Sequence, residues 1–226
     1  MFTEFDSKVM DDIVSFCKGQ KFSKRKLSRD GRVDSVIYEK KVACRIRLWS
    51  SKSEFAIKNG LSVVYSDARK WYDIAVIKKD DSSFLLPINI KISSLSGNDN
   101  SNCKMGIYYA LTGMKPDYGN LKNSDSWHSF IKRLKKNIGK KDGKDYFFIV
   151  FDKNGKKDVF WNSISGMSKV CPNGSNLPFQ INWLANTHPV KKNESEMREM
   201  ILSALGRSLK ERANPSLEFE MAFGHN

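Results

Sequence analysis

Cysteine and histidine are scarce in this 226-residue chain, with four of the first and three of the second. The cysteines, Cys17, Cys44, Cys103 and Cys171, lie too far apart for zinc-knuckle spacing. A chain of this length also needs no disulfide staples, so free thiols are expected. His128, His188 and His225 are equally dispersed, which gives a histidine-metal nuclease or a histidine-based triad no local support. No apolar run approaches the ~20 residues needed to span a bilayer, and no clear basic amphipathic helix suggests membrane binding. The opening residues Met1-Phe2-Thr3-Glu4-Phe5-Asp6 are acidic and lack the apolar stretch of a signal peptide. A cytoplasmic protein without membrane attachment is therefore expected.

Acidic residues are also in deficit. Against 39 lysines and arginines stand 25 aspartates and glutamates, giving a formal net charge of +14 and a pI near 9.6. Such an excess favours a polyanionic partner. It is spread widely, including Lys18 to Arg32 and Lys132 to Lys144. Runs of this kind are usually solvated faces, so charge alone leaves the function open.

What is present is enough apolar sequence, 40% of the chain, for one well-buried core. The spacing predicts a helix over 5–18, a basic loop or arm over 21–29, and a longer helix from Asp34 to about Lys58 with a break near Ser50-Ser51. Asn59-Gly60 supplies its stop signal. Strands are predicted at 61–65, 71–78 and 84–92, with a turn at 80–83. Residues 93–104 have the composition of an exposed loop, and 105–114 that of a helix or a buried strand. A helix over 124–138 should turn Trp127, Phe130, Ile131, Leu134 and Ile138 inward. Asp145 to Asp152 is a central-strand candidate, followed by a hairpin into 157–161. A short apolar segment at 180–184 and a final helix over 194–212 complete the chain. The order indicates a single α/β domain with a mixed central sheet flanked by helices.

Chemistry concentrates on two neighbouring strands. Asp73 lies on one, and Asn89-Ile90-Lys91 begins sixteen residues later on the next. Alternation puts Asn89 and Lys91 on one face. A carboxylate from one strand and oxygen donors beside an ammonium group from the next suit Mg²⁺-assisted phosphodiester hydrolysis. The main-chain carbonyl of Ile90 is a further candidate oxygen ligand. In the preceding helix Glu39, Val42, Ile46 and Trp49 share a face, so a carboxylate sits on a core-facing stripe. It either closes a salt bridge or points into the metal site as a further acid, and Glu54 is its rival. Asp73 and Lys91 have a plainer alternative too, a cross-strand ion pair with Asn89 as an ordinary polar strand residue.

These residues resemble the PD-(D/E)XK nuclease superfamily, and within it the type II restriction endonucleases, over roughly residues 33 to 92. A helix glutamate ahead of the strand aspartate is similar to the blunt-cutting restriction enzymes. The run Pro87-Ile88-Asn89-Ile90-Lys91-Ile92-Ser93, followed by Gly106-Ile107-Tyr108-Tyr109-Ala110-Leu111-Thr112-Gly113, is similar to ScaI-type enzymes. The resemblance implies a restriction-endonuclease-like fold over 1–226, with an N-terminal helix and basic arm (1–32), a catalytic core segment (33–92) and recognition loops with the remaining sheet and C-terminal helix (93–226). It implies Mg²⁺ held by Asp73, Asn89, Ile90 and Glu39, with Lys91 acting on the chemistry. The family normally has an acid at position 89. Asparagine keeps one carbonyl oxygen for the metal but loses a charge. Either this subfamily uses asparagine, with Glu39 and Asp73 supplying charge, or the chain is an inactivated variant.

Site-specific cutting of double-stranded DNA requires residues that read base edges. Candidates are Asn98, Asn100, Asn102 and Lys104 after the catalytic strand, and Asn176 and Gln180 further on, with Lys24 and Arg25 in a basic arm on the backbone. An ordinary surface loop explains the first group equally well. Palindromic sites imply a homodimer, and a restriction enzyme implies a partner DNA methyltransferase. Two alternatives stand beside this expectation. One is a structure-specific nuclease of the junction-resolvase or repair type. The other is a basic nucleic-acid-binding module without catalysis.

Overall fold

The computed structural model describes residues 1–19, 31–65, 71–101, 104–116, 126–140, 144–154, 158–175 and 178–223. The predicted arm residues Lys24 and Arg25, and the candidates Asn102 and Asn176, lie outside them.

Helix α1, Glu4–Cys17, starts at a capping box in which the Thr3 hydroxyl accepts from the Asp6 amide and the Asp6 carboxylate accepts from the Thr3 amide. Two of the four orphan amides at the helix start are thereby satisfied. Helix α2 spans Gly31–Lys52, so Asp34 lies within it and is not its cap. Ser53 then interrupts the helix by capping a short α3, Glu54–Lys58, its hydroxyl accepting from the Ala56 amide. The expected break therefore exists a little later than Ser50-Ser51. Gly60, at a φ of +62°, ends this helical stretch, a conformation that glycine adopts without steric cost.

The main sheet has five strands: β1 Leu61–Tyr65, β2 Ile74–Lys78, β3 Asp81–Ser93, β5 Phe147–Asp152 and β6 Val159–Ser163, in the order β1-β2-β3-β5-β6. The β3–β5 pairing is parallel and the other three are antiparallel, so the sheet is mixed. Two predicted boundaries are corrected. Strand β2 begins at Ile74, leaving Trp71, Tyr72 and Asp73 as its irregular entry, and the turn before β3 is confined to Lys79 and Asp80. Every residue of β5 is buried, as a strand covered on both faces requires.

Alternate residues of the sheet feed two cores. Ile74, Val76, Leu86, Ile88, Ile90, Phe147, Ile149 and Phe151 pack with α1 and α2 through Val9, Ile13, Val42, Ile46 and Trp49. Phe148, Val150 and Phe160 pack on the other layer. That layer contains α4 (Lys104–Thr112), α5 (Trp127–Asn137) and α6 (Glu194–Phe223). Helix α4 is buried along its whole length, which settles the helix-or-strand question for 105–114. In α5 Phe130 and Leu134 face the core, but Ile131 is 45% exposed, against expectation. Helix α6 continues well past residue 212, with Pro215 inside it.

Residues 93–104 are not simply a loop. Asn98–Ser101 forms strand β4, paired antiparallel with β7, Phe179–Asn182, in a separate two-stranded ribbon. No described helix is long and apolar enough to cross a membrane.

Candidate active site at the end of strands β2 and β3

Strand β2 stops pairing with β3 at Ile74↔Ile88. Just beyond that point Asp73 turns back onto β3. Its amide donates to the Ile88 carbonyl at 3.0 Å, and its carboxylate Oδ2 accepts from the Ile90 amide at 2.7 Å. One carboxylate oxygen is thus fixed by main chain and the other is left for further contacts. N–H and C=O of one strand residue point to the same side. The Ile90 carbonyl therefore also points toward the Asp73 side, where the β2 ladder has ended.

Asn89 and Lys91 lie across the parallel pair from Phe148 and Val150, which confirms their shared face. The Asn89 Oδ1 atom is buried and has no hydrogen-bond partner. An orphaned buried carbonyl oxygen costs about 1–3 kcal/mol unless something outside the protein satisfies it. Among the described residues Lys91 closes no ion pair and no hydrogen bond, so the cross-strand Asp73–Lys91 salt bridge does not form.

Glu39 joins from the opposite layer, one turn before the buried Val42 in α2. It makes no salt bridge among the described residues. Burial, followed by the charge of Asp73, pushes its carboxyl up to about 7, while Lys91 pulls the other way. Asp73 is also raised, by burial first, against the opposing pull of the Ile90 amide and Lys91. Glu39, Asp73 and Lys91 therefore lie within range of one another's charges. Glu54 drops out as a rival, because it is exposed in the first turn of α3.

The group is rich in oxygen acceptors and poor in donors: two carboxylates held partly out of water, an orphaned amide oxygen and a main-chain carbonyl. Oxygen-only donors of this type suit a hard divalent cation such as Mg²⁺. Among the described residues no three His, Cys, Asp or Glu side chains gather at one point. Among the described residues the set is two carboxylates and neutral oxygens.

The candidate DNA-reading residues divide. Asn98 and Asn100 are exposed on β4, and Gln180 is half-buried opposite Asn100 on β7. Lys104 is no loop residue. It opens α4, is 9% exposed, and its ammonium lies 5.0 Å from the centre of the Trp127 ring. Two further residues support these positions, Tyr146 and Asn173, the latter at the start of the second base-reading candidate stretch 173–180. Tyr146 donates from its hydroxyl to the Trp71 carbonyl at 2.7 Å and stacks on the Trp71 ring, fixing the entry to β2. Asn173, 5% exposed, donates from Nδ2 to the Asn100 Oδ1. Each acts on a residue more than seventy positions away, so no local pattern could reveal the contact.

Comparison with protein-family models and with curated proteins finds no match for the chain.

Proposed function

We propose that this chain is a Mg²⁺-dependent, site-specific DNA endonuclease of the restriction type. The observation that carries the reading is the Asp73 carboxylate bonded to the Ile90 amide, on the tripeptide whose Asn89 oxygen is orphaned and whose Lys91 closes no ion pair among the described residues. Two carboxylates raised by burial, Glu39 also by the charge of Asp73, and a stranded buried oxygen all cost free energy until a cation arrives.

Glu39, Asp73, Asn89 and the Ile90 carbonyl would hold the ion. Bound there, it would neutralise charge on the phosphate and favour ionisation of the attacking water. Lys91 orients that water or the scissile phosphate, and its charge stabilises the negative charge that builds up during attack. Asp73 keeps its direction through the Ile90 amide, so the geometry does not rearrange when phosphate enters. The chain's net charge of +14 draws it to double-stranded DNA. Cutting both strands of a palindromic site calls for two such centres related by a two-fold axis, hence a homodimer. A cell making such an enzyme needs a DNA methyltransferase that shields its own sites.

The test is digestion of a sequenced plasmid with Mg²⁺, followed by mapping of the ends, alongside Lys91→Ala and Asn89→Asp versions. Discrete bands from the natural chain, lost in Lys91→Ala while DNA binding stays within about threefold, support the reading. Cutting confined to branched DNA would instead make it a structure-specific nuclease. If neither the natural chain nor Asn89→Asp cleaves any DNA, catalysis is the wrong account.

A further inference from the structure

The β4–β7 register pairs Asn98 with Asn182 and Asn100 with Gln180. Directly opposed residues share a face of an antiparallel pair, so four carboxamides form a ladder on one side of this ribbon. The other side carries Phe179 and Ile181, which are 0% and 1% exposed in the core. The ladder therefore faces outward, and Asn98 and Asn100 are exposed on it. From this arrangement we infer that the ribbon is a base-reading element for the DNA of the proposed nuclease, with Asn98 and Gln180 as readers of adenine; the inference rests on that function.

In a chain with 39 lysines and arginines, the four side chains of this ladder are all uncharged. Phosphate asks only for donors, and the four ladder side chains carry acceptors as well. A carboxamide offers a donor and an acceptor side by side, the pattern that matches adenine N7 and N6 in the major groove. An antiparallel ribbon also fits the ~12 Å width of that groove.

The hydrogen bonds already made distinguish the four side chains. Asn98 makes none among the described residues, so its amide is available to a ligand. Gln180 spends one Nε2 hydrogen on the Asn100 Oδ1 at 3.1 Å and keeps its Oε1 and a second N–H. Both can still form the paired contact to adenine. Asn100 has its oxygen occupied twice, by Gln180 and by Asn173. The Asn182 oxygen caps the Ala185 amide at 3.0 Å. Asn100 thus has no acceptor left and Asn182 has one of its two committed, and both serve to hold the ladder.

The ladder is rigidly mounted. Gln180 exchanges both main-chain bonds with Cys171 at 2.8 Å. Its pairing to Asn100 is therefore of the non-hydrogen-bonded kind, in which side chains lie closest. Asn173 in turn accepts from Arg212 of α6 through its carbonyl and donates its amide to the Ser208 hydroxyl. Asn98 follows Lys91 by only seven residues, a reach of at most about 25 Å. One duplex can therefore meet both Lys91 and the ribbon.

The experiment is selection of bound duplexes from a random pool by the full-length protein in Ca²⁺, repeated with Asn98→Ala and Gln180→Met. The natural chain should enrich a motif containing adenine. Each variant should lose 10- to 100-fold preference at one A·T pair, while affinity for random DNA changes less than about threefold. A motif unchanged in both variants, changes confined to positions without adenine, or no motif at all would overturn the inference. Plasmid cleavage with Mg²⁺ is scored separately. Cleavage at discrete sites with an unchanged motif in the variants leaves the nuclease standing and the ribbon refuted. A motif lost in the variants without any cleavage does the reverse.

Discussion

The carboxylate of Asp73 accepts the amide of Ile90 at 2.7 Å, so the acid at the mouth of β2 is aimed by the main chain of the tripeptide Asn89-Ile90-Lys91 itself. Asp73→Asn keeps the shape of the side chain but removes its charge. Cleavage should fall by about three orders of magnitude, in line with the several kcal/mol that a metal-assisted step gains from the ion's charge. Folding should not suffer. Burial raises the Asp73 carboxyl, so the neutral amide spares the fold a poorly solvated charge. A thermal melt in EDTA checks the second expectation, and one showing a large loss of stability would make Asp73 a structural residue.

Asn89 carries the most informative substitution. Its Oδ1 is buried and unpartnered, and aspartate there would add a third carboxylate to the proposed site of Asp73 and Glu39. Without metal, that concentration of charge should destabilise the protein by about 1–3 kcal/mol at pH 8. With Mg²⁺ the order should reverse, and half-saturation should move to about tenfold lower Mg²⁺ than in the natural chain. Melting temperature followed across a Mg²⁺ titration reads both effects. An unchanged half-saturation point would mean that position 89 does not touch the ion.

Glu39 gives the site a pH signature. Its folded pKa of about 7 lies above the ordinary value of 4.5, so the folded state binds this proton more tightly than the unfolded chain. The corresponding stability is fully present below about pH 4.5 and is lost as pH rises through 7. Glu39→Gln should accordingly melt higher than the natural chain at pH 8 in EDTA and equally near pH 4.5. The side chain is only half-buried, and solvent screening limits the gain to about 1–2 kcal/mol. Equal differences at both pH values would show that the carboxyl does not titrate as the site requires.

How far the chain discloses this architecture depends on the range of the forces involved. Strand β1 was legible to the residue because Asn59-Gly60 stops a helix and an apolar run follows at once. Glu39 was legible by phase, one turn from Val42 on a buried stripe. Its closeness to Asp73 was not, because packing between layers sets that distance. Trp71 and Tyr72 look like strand residues, yet the Tyr146 hydroxyl and ring hold Trp71 outside the ladder. Strand β4 was missed for a similar reason. Asn98-Asp99-Asn100-Ser101 has neither β propensity nor an apolar face, and its partner β7 starts 78 residues after Ser101. Local sequence specified the acids and the ammonium, while long-range contacts specified what aims them.

Gly106 and Tyr146 offer a test of that remote aiming. A Cβ on Gly106 would lie 2.9 Å from the Tyr146 ring, closer than real side chains approach. The ring is fully buried, stacks on Trp71 and is tethered by its hydroxyl to the Trp71 carbonyl, so it has no room to yield. Gly106→Ala should therefore cost about 1–3 kcal/mol, or roughly 2–4 °C of melting temperature per kcal/mol in a chain of this size. Gly97→Ala is the control, since a Cβ there meets nothing within 4 Å. Trp71 lies two residues before Asp73, and the displacement should pass along the entry of β2 to its carboxylate. Cleavage by the remaining folded Gly106→Ala protein should fall at least tenfold, with a weaker response to Mg²⁺. Full activity in the folded fraction would show that the Asp73–Ile90 bond alone holds the acid in place.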